Sequence, residues 1–85
     1  MERANPYLNA AIMEALDNQL RDLDPPETKE TFDRLIALGI PKQEVRRLIA
    51  CVIAVEVFEV LKRQEMYNPQ RFVTSLKRLP ELSWD

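Results

Sequence analysis

Along the first quarter of the chain Leu8, Ile12, Ala15, Leu16, Gln19, Leu20 and Leu23 recur at three- and four-residue steps, which draws one largely apolar stripe down a helix. Asn5 followed by Pro6 predicts its start: the asparagine caps, and the proline fills the first helical position, where its missing N–H costs nothing. Asp24, Pro25 and Pro26 must end it, so the first helix is predicted over 6–22. A second opens after Pro26 with Glu27 and Glu30, suited to the positive end of the helix dipole, and turns Phe32, Leu35 and Ile36 to one face over 27–38. Gly39 stops it. Ile40 and Pro41 then connect to a third helix predicted over 41–63, with Pro41 in its first turn. Asn68 and Pro69 repeat the opening device and start a fourth over 69–78, with Phe72, Val73, Leu76 and Leu79 inward.

The third segment breaks the amphipathic rule. Ten of the eleven residues from Leu48 to Phe58 are apolar, and enough of them are β-branched to resemble a buried strand. Length decides for a helix: from Pro41 to Arg63 no Gly, internal Pro or turn signal intervenes, and such a helix is about 34 Å long. Val45, Ile49, Val52 and Val60 define one face, flanked by Leu48 and Val55, while Ala50, Ala54, Phe58 and Leu61 lie opposite. The expected fold is therefore all-α, a compact bundle of about four helices around this long apolar helix, in a single domain over 1–85 with tails at 1–4 and 80–85. A helix apolar nearly all round asks for cover on every side, and a fourth helix of about ten residues is short for that task. A homodimer is expected, with Phe58 and Leu61 among its interface residues.

Composition narrows the function classes. Eighty-five residues with 46% hydrophobic and 31% charged suit one small globular domain. The net charge of -2, without a run of five or six Lys or Arg, argues against nucleic acid as a partner. There is no histidine, which removes Ser-His and Cys-His nucleophile systems and the usual neutral-pH acid or base. Cys51 is the sole cysteine, so neither an intrachain disulfide nor a cysteine-based zinc site can form, and a reducing compartment fits. No basic segment followed by an apolar core opens the chain, and the Leu48–Phe58 run is too short to span a bilayer; a cytoplasmic protein without membrane attachment is expected.

Few residues then remain as candidates for chemistry. Glu56 falls on the apolar face of the third helix, where a carboxylate needs a cation, a hydrogen-bond donor or a raised pKa. A structural ion pair is one reading. The other is a carboxylate-based metal or enzymatic site, in which Glu56 and Glu59 with Glu14 and Asp17 hold Mg²⁺ or Ca²⁺ if their oxygens converge. The stretch from Leu35 to Ile49 also matches a helix-turn-helix, with Gly39 in the turn and Lys42, Gln43, Arg46 and Arg47 facing DNA. Against it, the supposed recognition helix continues into the most apolar segment of the chain. Cys51, Met13 and Met66 are read as core or gap-filling residues, and Trp84 as an anchor for the tail. No cofactor is implied, and the first expectation is a non-catalytic protein that acts by associating with itself or another protein.

The opening stretch also resembles a family of short bacterial helical proteins known as a domain of unknown function. Its members carry Asn-Pro-Phe/Tyr-Leu-His, three residues, a second His, then a Gln, a Pro-containing turn, an Arg-Leu helix end closed by Gly, and a further His early in a long apolar helix. Asn5, Pro6, Tyr7, Leu8 and Gln19 match the first motif, Pro25 and Pro26 the turn, and Arg34, Leu35 and Gly39 the helix end. The similarity covers roughly residues 5–62. At the positions similar to the family's histidines this chain has Asn9, Met13 and Arg47. The resemblance implies a site where two His at i and i+4, a third His and a Glu would suit a metal, with an amide, a thioether and a guanidinium now filling it. It implies no activity.

Overall fold

A computed structural model describes residues 6–82 and contains four helices: α1 (Pro6–Asp22), α2 (Pro26–Ala37), α3 (Lys42–Arg63) and α4 (Pro69–Arg78). Among the described residues there is no strand, and the all-α bundle expected from periodicity is the architecture found. Boundaries shift by one residue at three places. α2 takes in Pro26 and stops at Ala37, and α3 begins at Lys42, because Pro41 sits at the cap in an extended conformation and offers its carbonyl to the Val45 N–H at 2.9 Å.

Three helices stop in the same way, by a residue with positive φ followed by an N–H that reaches back to an orphaned carbonyl. After α2, Gly39 (φ 90°) donates to Ile36 O at 2.9 Å and Ile40 donates to Leu35 O at 3.3 Å. After α1 the turning residue is Leu23 (φ 55°), with Asp24 N–H to Gln19 O; after α3 it is Gln64 (φ 54°), with Glu65 N–H to Val60 O. At its start α4 is capped as expected, the Asn68 side-chain oxygen accepting from the Arg71 N–H at 3.0 Å. Its other end is tied down by a residue of α2: Arg34 donates to the carbonyls of Leu79 at 2.8 Å and Leu76 at 3.1 Å.

α3 packs on all three other helices, and α2 likewise touches α1, α3 and α4. Among the described residues α1 and α4 do not pack against each other, so they flank α3 with a gap between them. Ile12 and Leu16 of α1, Leu35 of α2, Val45, Leu48, Ile49, Val52 and Ile53 of α3, and Phe72, Leu76 and Leu79 form the core. Burial of these side chains supplies the main driving force, roughly 1.5–3 kcal/mol each.

Several inward assignments change. Leu8 and Leu23 lie exposed at the two ends of the α1 stripe, and Ile36 is exposed on α2, where Thr28 and Thr31 point inward in its stead. Thr28 is fully buried because its hydroxyl donates to Gln19 Oε1 at 2.8 Å, which removes the cost of burying it. Met66 is no gap-filler: it is 88% exposed in the α3–α4 connection. Leu82 packs against the core, so the tail is held at least that far. Asn5 and Trp84 lie outside the described residues. α3 itself is incompletely covered towards its C-terminal end, with Val55 and Val57 partly exposed and Phe58 and Leu61 each 70% exposed.

Candidate functional site

Three sites follow from this arrangement. In the first, the fold brings Asn9, Met13 and Arg47 together. They line one groove of about 420 Å³ between α1 and α3, beside Gln43, Arg46 and Cys51. The four-residue step places Asn9 and Met13 on one side of α1, and the same step places Arg47 and Cys51 on the facing side of α3. Met13 is half-buried against the core, while Asn9 and Arg47 are exposed. The guanidinium of Arg47 is held by Glu44 through two hydrogen bonds of 2.9 and 2.6 Å and approaches Cys51 Sγ at 3.9 Å. Arg46 pairs with Asp17 of α1 at 2.7 Å. These arginines hold the carboxyls of Glu44 and Asp17 below the usual carboxylate range.

Chemically this groove is a poor cation holder. Arg47 has no lone pair to give and carries a positive charge to its edge, which leaves the amide oxygens of Asn9 and Gln43, a thioether and a thiol. Arg46 and Arg47 are each paired with a carboxylate in this groove. α2, Gly39 and α3 follow one another in the order the helix-turn-helix reading requires, with Lys42 exposed at the start of α3.

The second site centres on Glu56, buried at 7% exposure as its place on the helical wheel predicts. Arg71 of α4 grips it from Nε to Oε1 at 3.0 Å and from Nη2 to Oε2 at 2.8 Å, while the Asn68 backbone N–H donates to Oε2 at 3.2 Å. Arg71 also donates to Glu65 at 3.1 Å. The Arg71 hydrogen bonds, set against the opposing effect of burial, hold the Glu56 carboxyl below its ordinary range and push the guanidinium pKa up. Glu56 is therefore a latch between α3 and the start of α4. Glu59 pairs instead with Arg63 at 2.7 Å, Glu14 is exposed, and among the described residues no three His, Cys, Asp or Glu side chains converge on a metal position.

The third is apolar. The gap between α1 and α4 is a groove of about 320 Å³ floored by Ile53, Glu56 and Val60 of α3 and walled by Ala15, Gln19, Val57, Leu61, Tyr67 and Phe72. Tyr67 lies against Phe72, ring centroids 6.1 Å apart, and burial together with the negative charge of Glu56 pushes its phenol up. Phe58 is not among the residues that line this groove. The periodicity of α3 marked Phe58, Leu61 and Glu56, and that of α1 marked Ala15; nothing in the sequence marked Arg71 or Tyr67, because their roles depend on how α1 and α4 are set apart.

Comparison with protein-family models, with curated proteins and with solved structures found no match to this chain. No described helix is long and apolar enough to cross a membrane.

Proposed function

We propose that this chain is a non-catalytic helical protein that works by self-association through the C-terminal third of α3. The observation that carries this is the exposure of Phe58 and Leu61, 70% each, on a helix whose neighbouring turns form the core. Val57 and Tyr67 are also partly exposed and Met66 is exposed in the connection that follows, so this end of α3 leaves several apolar side chains for a partner to cover. Of the carboxylates considered for chemistry, Glu56 and Asp17 are engaged in ion pairs with Arg71 and Arg46, and Glu59 pairs with Arg63. A cytoplasmic setting suits the free thiol of Cys51. If the chain descends from the histidine-bearing family it resembles, Asn9, Met13 and Arg47 keep the positions of a former ligand set, with Met13 now packed against the core.

Light scattering at micromolar concentration tests the proposal. The expected mass is about twice the 10.0 kDa of one chain. Phe58→Glu should return the protein to a monomer with unchanged helical circular dichroism, since the position is exposed in the single chain and the carboxylate opposes only its burial in an interface. A monomer for the unsubstituted chain at high micromolar concentration ends the proposal.

A further inference from the structure

α2 and α3 both end on a left-handed residue, but for different reasons. α2 stops at Gly39, the residue type that takes this conformation without cost. α3 stops at Gln64 (φ 54°, ψ 41°), where nothing local asks for a stop: Gln64, Glu65 and Met66 are good helix formers, and the next breaker is the Asn68–Pro69 pair. Every residue of the 64–68 connection is exposed, and Glu65 and Tyr67 make their contacts with α4 itself, at Arg71 and Phe72. What bends the chain here is the docking of α4, through Arg71 on Glu56, through Arg34 of α2 on the carbonyls of Leu76 and Leu79, and through burial of Phe72, Leu76 and Leu79. We infer that the bend is a hinge and that two copies exchange α4, each extending α3 through Met66 and laying its α4 on the α2–α3 seat of the other. This inference rests on the self-association proposed above and adds which segment is exchanged.

The seat itself identifies the occupant, because the same segment of this chain already fills it. Glu56, Arg34 and the apolar floor meet the same ten residues whichever copy supplies them, so exchange keeps the contacts of α4 with α2 and α3. α4 can leave without disturbing α1, since among the described residues those two helices do not pack on each other. Exchange also releases Gln64 from a conformation unfavourable to an L-residue and adds a turn to α3 in each chain, the combination of a short, strained hinge and an intact seat that invites swapping. Finally, two chains that cross at their hinges bring together the residues nearest the crossing. Phe58 and Leu61 lie within about two turns of Gln64 and are exposed in the closed chain, so the exchange gives them a partner surface beside the two-fold axis.

The test uses the full chain and two charge reversals. Glu56→Arg and Arg71→Glu each set like charges face to face, both in a chain closed on itself and in a dimer of that variant alone. Refolded together, the two variants restore opposite charges at both seats only if α4 crosses between copies. Native mass spectrometry of the mixture should then show the heterodimer in about tenfold or greater excess over its statistical share. Association without exchange gives no excess, and that result overturns the inference while a doubled mass for the unsubstituted chain leaves self-association standing. Both reversals on one chain check that the seat accepts the inverted pair; should that chain fail to fold, Gln64→Gly decides. Glycine favours the left-handed bend and weakens the extended helix at both hinges, so the dissociation constant of the dimer should rise about tenfold by analytical ultracentrifugation. An unchanged constant means that the bend persists in the dimer and α4 remains on its own chain. If the unsubstituted chain is a monomer, both readings fall.

Discussion

Glu56 shows what one residue decides in this molecule. Its carboxylate holds the start of α4 on α3, and its removal leaves Arg71 with only Glu65 and water. Because Arg71 is about one-third exposed, solvent offsets part of that loss, and Glu56→Ala is expected to cost about 1–3 kcal/mol by urea unfolding. Glu56→Gln should cost less, since the amide keeps an acceptor for Arg71 or for the Asn68 N–H. Equal and negligible effects would show that the latch holds nothing. The same contact has a pH signature. The folded-state pKa of Glu56 lies below the ordinary 4.5, so its contribution is fully present above that value and is lost as pH falls through the folded pKa. Acid titration of stability should therefore fall less steeply below pH 4.5 in Glu56→Gln than in the unsubstituted chain. Half of this latch was legible in sequence: a lone acid on an apolar face must be compensated. Arg71, fifteen positions on and in another helix, was not, because any of several arginines satisfies the same rule until the turn after Arg63 is known.

At the scale of elements, local chemistry announced itself and orientation did not. Proline after a capping asparagine, Gly39, and the run of prolines at 25 and 26 placed all four helices within one residue, since these residues act through their own backbones. The rotation of α2 was misjudged. Of Phe32, Leu35 and Ile36, the most apolar face, Phe32 and Leu35 do pack on the core, but Ile36 is exposed and Thr28 and Thr31 are buried, because the hydroxyl of Thr28 finds Gln19 across the α1–α2 turn and buries without penalty. The helix ends carry a further expectation. α3 stops on Gln64 at φ 54°, a conformation that costs an L-residue about 1–2 kcal/mol relative to glycine. Gln64 is exposed, so Gln64→Gly loses little packing and should stabilise the fold by about 0.5–1 kcal/mol after glycine's greater unfolded-state freedom is counted. A loss of stability in thermal melts would mean that the side chain of Gln64 holds the turn by a contact of its own.

For the molecule as a whole, the separation of α1 from α4 has a consequence beyond the groove it leaves. Each of these outer helices leans on the α2–α3 pair and not on the other, so neither has to detach before the other can. Native-state hydrogen exchange should then resolve two independent openings below the global one. Amides of α1 would exchange as one cooperative group and amides of α4 as another, while α2 and the first two-thirds of α3 exchange only with complete unfolding. Glu56→Ala should lower the protection of α4 and leave that of α1 in place; protection lost equally from both would show a single unit. The chain is thus a two-helix keel with two hinged boards, and what happens to one board need not be felt by the other.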